Sequence, residues 1–96
     1  MYRITKYTSL KAKRLGLEVK PSTNKGKKID VFKKGEKIAS VGAIGYMDYP
    51  TMMILENQGK YPKGYAKMRR KLYKKRHEKD RHKKGTNGWL ADQLLW

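Results

Sequence analysis

Four side chains that could coordinate a metal ion or transfer a proton lie close together in the sequence: His77, Glu78, Asp80 and His82. A metal-binding histidine pair on a helix is typically four residues apart, so that both rings project from one face. His77 and His82 are five apart. The eight acidic residues are scattered and supply no paired carboxylates for acid–base chemistry. The spacing favours a structural role, with no metal site and no catalytic residue. A small nuclease using His77 and Asp80 is the minor alternative.

The same segment is dense in positive charge. Twelve Lys or Arg residues lie from Lys63 to Lys84, against two acids. Several cations recur every four residues, as in Lys67, Lys71 and Lys75, which stacks like charges on one helix face and slightly disfavours an isolated helix. A solvated helix usually alternates the signs of its charges. The pattern therefore indicates an anionic partner, with nucleic acid favoured.

Lysines also surround a predicted β-hairpin. A two-stranded ribbon fits the major groove of DNA, but lysines equally protect an edge strand from aggregation, and the sequence favours neither interpretation. Taken with the cations of the predicted helix, these lysines complete the predicted nucleic-acid-binding residues. They are Lys25, Lys27, Lys28, Lys33, Lys34, Lys63, Lys67, Arg69, Arg70, Lys71, Lys74, Lys75, Arg76, Lys79, Arg81, Lys83 and Lys84.

Three tyrosines among these cations could stack on unpaired bases, because stacking needs rings that lie among basic residues. They are Tyr61, Tyr65 and Tyr73. Tyr65 lies on a predicted apolar stripe, so a place in the core is favoured for it.

The whole chain shares the charge imbalance. Its 96 residues include 25 Lys or Arg against 8 Asp or Glu, a net charge of +17, which is far more than solubility requires. A compact state with that charge repels itself, and an anionic partner would relieve the repulsion. With no cysteine, neither disulfides nor a thiolate metal site are expected. We expect nucleic acid as partner, DNA more than RNA, with no membrane association and no cofactor.

Local patterns predict the elements that would position these residues. Alternating apolar and polar residues around Lys34-Gly35 predict a hairpin over 28–44. The apolar stripe of Tyr65, Met68 and Leu72 predicts a helix over 62–83. Cap residues and prolines predict short helices at 9–15, 50–58 and 88–95. The possible caps are Thr8 or Ser9, Asp48 or Tyr49, and Thr86 or Asn87.

The predicted fold class is α+β, a single domain over 1–96 in which the small antiparallel sheet packs on a long basic helix with short flanking helices. The predicted core consists of Tyr65, Met68, Leu72, Val31, Ile38, Val41, Trp89 and Leu94.

The C-terminal half resembles a known group of proteins. It contains Arg70-Lys71-Leu72-Tyr73-Lys74-Lys75-Arg76-His77, then Lys79-Asp80-Arg81, Gly85-Thr86-Asn87-Gly88-Trp89 and Leu94-Leu95-Trp96. The Tyr-x-x-Arg-His helix, the closing Leu-Leu-Trp and the Lys-Lys-Ile-Asp-Val-Phe-Lys hairpin are similar to small basic proteins of large double-stranded DNA viruses of eukaryotes and of some tailed phages. The resemblance implies a viral origin, a virion or genome-associated role, and no catalytic residues.

Charge pattern and resemblance together lead to one functional hypothesis. The chain is expected to be a viral nucleic-acid-binding protein, genome-associated and DNA-binding, that acts through its basic helix and hairpin and is not an enzyme. The alternative is a structural virion component, a minor capsid or cementing protein that contacts capsid proteins or packaged DNA. Either function places the protein in the virion or in the cytoplasm or nucleus of an infected host cell.

Overall fold

The computed structural model describes residues 2–96, and the chain divides into two compact units at Tyr46 and Met47. The described part contains four helices and three strands, which confirms the predicted α+β class. Their order is α1 (Lys6–Arg14), β1 (Glu18–Pro21), β2 (Lys27–Lys33), β3 (Glu36–Ala43), α2 (Tyr49–Asn57), α3 (Tyr65–Arg76) and α4 (Asn87–Leu95). Whether the two units fold together is a separate property, so the single-domain assignment stays a prediction.

Helix α1 begins at Lys6, earlier than the sequence predicted. The Thr5 side chain caps it, because its Oγ1 accepts a hydrogen bond from the Thr8 backbone N–H at 3.2 Å. This bond satisfies one of the amides left open at a helix start. Thr8, itself expected as a possible cap, is buried. Gly16 follows the helix with a φ of 73°, the left-handed conformation in which many helices end.

The three strands form one antiparallel sheet in the order β1-β2-β3. On the apolar face of the central strand, Val31 lies opposite Val19 of β1 and Ile29 lies opposite Val41 of β3. Directly opposed residues of an antiparallel pair project to the same side of the sheet. Ile29, Val31 and Val41 are buried, which confirms Val31 and Val41 as core residues.

Ile38 was predicted in the core and is instead 47% exposed. The pairing of the strands gives the reason. Phe32 lies opposite Lys37 and Val31 lies opposite Ala39, so Ile38 is an extra residue at an irregularity of the ladder. An extra residue interrupts the two-residue alternation that assigns side chains to faces. Counting back from Val41, alternation places Ile38 on the opposite face, because the two residues are three apart. The prediction that both lie in the core was therefore wrong.

The opposite face of β2 carries a buried carboxylate, Asp30. It accepts hydrogen bonds from the hydroxyls of Ser22 and Ser40, each at 2.6 Å, and from the backbone N–H of Thr23 at 3.3 Å. Lys37 Nζ lies 3.3 Å from Oδ2. The hydroxyl hydrogen bonds hold the pKa of Asp30 well below its ordinary value in spite of its burial. One side chain thus joins the β1–β2 loop to β3.

The β2–β3 hairpin turns on Lys34 and Gly35, as predicted. Lys33 lies opposite Glu36, which leaves a two-residue loop in which both residues have positive φ, 52° and 79°. Two positive φ values indicate a type I′ turn, whose twist matches that of the flanking strands. Lys34 is the one non-glycine residue with positive φ within residues 2–96. This conformation suits asparagine better than lysine.

We expect Lys34→Asn to stabilise the first unit by about 0.5–1 kcal/mol, because asparagine enters the left-handed region with less strain. Denaturant unfolding followed by circular dichroism measures the change. Lys33→Asn is the matched control, since it removes the same charge one position earlier, where the backbone is a strand. An equal gain from both variants would assign the effect to charge and not to the turn.

Helices α2 and α4 begin at caps that the sequence predicted. Asp48 Oδ1 accepts a hydrogen bond from the Thr51 N–H at 3.0 Å, with Pro50 in the first turn. Thr86 Oγ1 accepts from the Trp89 N–H at 3.2 Å. Trp89, predicted in the core, is half-buried. The buried apolar residues of this unit include Met52, Ala66, Leu90, Leu95 and Leu94, the last as predicted.

Helix α3 has 12 residues, Tyr65–Arg76, so the predicted length of 62–83 is wrong. Beyond it the chain turns, and the Arg81 N–H donates to the His77 carbonyl at 2.9 Å. A longer helix would extend the row of like charges from Lys75 to Lys79. The turn instead brings Arg81 to 3.7 Å from the buried carboxylate of Asp92 in α4. Charge repulsion along the helix and this ion pair both favour the bend.

The predicted apolar stripe of α3 does not face the core. Met68 and Leu72 are 49% and 47% exposed, whereas Ala66 is fully buried. Tyr65 and Arg70 are half-buried. Ala66 and Arg70 lie one turn apart on the same side of the helix. The prediction was wrong because it assumed that the larger apolar residues would mark the inner face.

Candidate nucleic-acid interface

The ratio of cations to acids is higher among the exposed side chains than in the whole sequence. Among residues 2–96, nineteen of the Lys and Arg side chains are exposed, against four exposed acids, Glu18, Glu36, Glu78 and Asp80. The other acids are buried or half-buried. Asp48 caps α2, and Asp30 and Glu56 accept internal hydrogen bonds. The exposed cations are Arg3, Lys6, Lys13, Arg14, Lys20, Lys25, Lys33, Lys34, Lys37, Lys60, Lys63, Lys67, Arg69, Lys71, Lys75, Arg76, Lys79, Lys83 and Lys84.

Five exposed cations lie on α3, which contains no acidic residue. They are Lys67, Arg69, Lys71, Lys75 and Arg76, and we call this set the α3 basic face. The three lysines recur every four residues and therefore form one row along the helix. In the described chain, no side chain of the α3 basic face lies within 4.0 Å of a carboxylate oxygen. No ion pair within residues 2–96 offsets their charge.

Three other cations of residues 63–84 serve internal contacts. Lys74 Nζ lies 2.8 Å from Asp92 Oδ1, and Arg81 contacts both Asp92 and Glu78. The Arg70 guanidinium lies over the Tyr49 ring, 4.7 Å from its centroid, a cation–π contact. These three cations hold α3 against α2 and α4, which orients the α3 basic face outward. Asp92, which pairs with two of them, was not predicted to do so, although it is the one acidic residue of α4.

Helix α3 starts without a side-chain cap of its own, because its N-cap residue is Gly64 in the left-handed conformation. Glu56 of α2 takes that part. Its Oε1 accepts a hydrogen bond from the Ala66 N–H at 2.9 Å. The backbone N–H groups of Ala66, Gly64 and Tyr65 lower the pKa of Glu56, because they stabilise the charged form. The carboxylate thus fixes the first turn of α3.

We expect Glu56→Ala to loosen that first turn, because the Ala66 amide loses its acceptor. Hydrogen exchange of the Ala66 amide should become faster in the variant. The sign with pH follows from the lowered pKa: the contribution is present at neutral pH and is lost as acid protonates the carboxylate. Glu36→Ala removes an exposed acid at the hairpin turn and should leave the Ala66 amide unchanged. Unchanged exchange in Glu56→Ala would contradict this capping role.

The predicted hairpin cations do not form one cluster. Lys25 lies in the β1–β2 loop and Lys27 begins β2, whereas Lys33 and Lys34 lie at its far end. The strand from Lys27 to Lys33 separates the two groups by about 20 Å. The exposed Lys37, which the sequence also places among the hairpin lysines, lies near the second group and pairs with Asp30 at 3.3 Å.

Lys28 was predicted to bind nucleic acid and is 5% exposed. Its ammonium group donates to the carbonyl oxygen of Tyr46 and lies 5.5 Å from the Tyr2 ring centroid. The reason is its position on the central strand, where the four consecutive residues 28–31 are all buried. We therefore leave Lys28 out of the interface.

Residues 77–84 place three further predicted cations, Lys79, Lys83 and Lys84, in exposed turns. The four side chains considered for metal binding or proton transfer pair with each other. Glu78 contacts His82 at 2.6 Å, and Asp80 lies 3.6 Å from His77. The hydrogen bonds from His82 and Arg81 lower the pKa of Glu78. Over residues 2–96 there is no group of three or more His, Cys, Asp or Glu that could hold a metal ion.

Tyr73 does not offer a free ring to a base. His77 stacks on it at a centroid distance of 4.3 Å, and Trp96 stacks on it at 4.1 Å with an interplanar angle of 3°. Two such stacks require opposite faces of the ring. Burial raises the pKa of Tyr73 to about 12. Tyr61 and Tyr65 stack on each other, 4.4 Å apart.

None of the helices between residues 2 and 96 is both long enough and apolar enough to cross a lipid bilayer. Comparison of the chain with protein-family models, with curated proteins and with solved structures finds no match. The exposed cations are therefore the basis for assigning a function. The resemblance to viral proteins stays a prediction.

Proposed function

We propose that this protein binds nucleic acid, DNA in preference to RNA, through the α3 basic face. The observation that carries the proposal is the absence of any carboxylate within 4.0 Å of Lys67, Arg69, Lys71, Lys75 and Arg76 in the described chain. Phosphates would supply the missing negative charge and release their condensed counterions in return. The lysines at the hairpin turn, Lys33 and Lys34, form a second and smaller contact.

The way α3 is held supports a binding role for its outer side. The helix uses Arg70 and Lys74 for internal contacts and Glu56 of a neighbouring helix as its cap. A cationic row on a helix that is fixed at both ends presents its charges in a constant arrangement, so less conformational entropy is lost when phosphates bind. The arginines of the set can also grip a phosphate with two parallel hydrogen bonds.

The test is the affinity of the full chain for a DNA duplex, measured by fluorescence anisotropy over a range of salt concentrations. Each phosphate neutralised contributes about −0.9 to the slope of log affinity against log salt. Five contacts from the α3 basic face predict a slope of about −4.5, and the hairpin contact would make it steeper. A duplex RNA and a single strand of equal charge, measured alongside, test the preference for DNA. A slope near zero would refute the proposal.

Association with a virion is the further part of the functional hypothesis, and it depends on the resemblance of the C-terminal half and the hairpin to viral proteins. We propose a genome-associated location, which predicts that the protein co-purifies with virions and leaves them together with the DNA. A protein that stays with emptied capsids would favour the structural role instead. The absence of catalysis is likewise a prediction: no metal-dependent cleavage should accompany binding.

A further inference from the structure

Two exposed apolar side chains of α3, Met68 and Leu72, lie among the cations of the α3 basic face. They lie four residues apart and therefore form one ridge along the helix. At about 3.6 residues per turn, the row of Lys67, Lys71 and Lys75 lies on one side of this ridge. Arg69 and Arg76 lie on the other side. An apolar ridge thus runs between two groups of cations.

Contact with phosphate alone does not account for this ridge, because phosphates offer no apolar surface to Met68 and Leu72. The major groove of B-form DNA offers both kinds of surface. It is about 12 Å wide and admits a helix, its walls are the two phosphate strands, and thymine presents a methyl group on its floor. Helix α3 is about 18 Å long, enough to lie across several base pairs.

We propose that α3 enters the major groove of duplex DNA, with Met68 and Leu72 against thymine methyl groups and the flanking cations on the phosphates of opposite strands. This rests on the proposed function and names its substrate and its groove. The alternatives fit the ridge less well. The major groove of duplex RNA is too deep and narrow for side chains to read. A stable protein interface covers about 800 Å² on each partner, which two apolar side chains do not supply. A helix on a membrane surface needs a continuous apolar face, whereas cations flank this ridge on both sides.

The test compares three probes at one salt concentration: an alternating A·T DNA duplex, the same duplex with uracil in place of thymine, and a matched RNA duplex. Loss of the methyl groups should weaken binding about four-fold for each methyl group covered, the effect of exposing one CH₂. The RNA duplex should bind more weakly than either DNA. Met68→Ala and Leu72→Ala should bind the thymine duplex more weakly and lose part or all of the preference for thymine over uracil.

Leu10→Ala is the matched control, since Leu10 is 46% exposed on α1 and its loss should leave the thymine preference intact. Equal binding of the thymine and uracil duplexes, with steep salt dependence, would overturn the major-groove inference and leave the proposed function standing. Affinity without salt dependence would overturn both. Stronger binding to duplex RNA, or displacement of DNA by polyglutamate of equal charge, would also overturn the major-groove inference.

Discussion

Replacing Lys67, Arg69, Lys71 and Lys75 together by glutamine should weaken binding to duplex DNA by about 100-fold near physiological salt. Each phosphate contact contributes through counterion release, so the loss of four contacts should also make the salt slope shallower by about 3.6. Anisotropy titrations of wild type and variant at several salt concentrations measure both quantities. The four side chains are exposed and, within residues 2–96, no carboxylate lies within 4.0 Å of them, so the fold does not depend on their charge.

The stability of this variant separates lost binding from lost folding. Like charges four residues apart destabilise a helix by about 0.2–0.5 kcal/mol per pair, so removal of the lysine row should leave α3 slightly more stable. A matched variant replaces Arg3, Lys6, Lys13 and Arg14, which are equally exposed in the first unit, and removes the same net charge. It should lose much less affinity. Equal losses in the two variants would mean that total charge, and not the α3 basic face, determines binding.

Asp30→Ala should destabilise the first unit by about 3 kcal/mol, because it leaves several donors without their acceptor in a buried place. The hydroxyls of Ser22 and Ser40 and the backbone N–H of Thr23 all donate to this carboxylate. Urea unfolding followed by circular dichroism measures the change. Glu18→Ala is the control, since it removes an exposed acid from the same sheet and should change stability by less than about 0.5 kcal/mol. Similar values for both would contradict the structural role of Asp30.

The same carboxylate gives stability a defined dependence on pH. Because the pKa of Asp30 is lowered in the folded state, its contribution is complete at neutral pH. It begins to fall as the pH drops below about 4, the ordinary pKa of an aspartate, and is lost only in strong acid. Asp30→Asn should show a smaller loss of stability between pH 7 and pH 3 than wild type. An identical pH profile would show that another group dominates.

Local signals predicted much of the fold. Asp48 and Thr86 cap their helices as expected, and the turn at Lys34-Gly35 places the hairpin correctly. These features depend on a few neighbouring residues, so the sequence contains the information that decides them. The same holds for Val31 and Val41, whose burial follows from strand alternation.

The errors occurred where distant residues decide the outcome. The end of α3 depends on the ion pairs of Lys74 and Arg81 with Asp92. Asp92 lies eleven or more residues further along the chain, so the residues near the helix end do not predict these pairs. Ile38 is the extra residue where the pairing shifts between Val31 and Phe32, and this irregularity depends on the partner strand. A sequence pattern fixes the spacing of side chains only while the element is regular.

The candidate site was predicted in its charge but not in its arrangement. Most of the predicted cations are exposed, but Lys28 is buried and Lys74 and Arg81 contact Asp92. Met68 and Leu72 were predicted in the core because an apolar stripe on a helix usually faces inward, but both are exposed. That rule failed because Ala66, a smaller residue, faces inward and lets α3 pack close to its neighbours.

The most direct measurement is acylation of lysines with and without duplex DNA, quantified by mass spectrometry on the intact fold. We expect DNA to protect Lys67, Lys71 and Lys75 strongly from acylation, whereas Lys6 and Lys13 of α1 should react to the same extent with and without DNA. Protection that spares the α3 lysines, or falls evenly on all exposed lysines, would contradict the claim that α3 presents the DNA-binding surface.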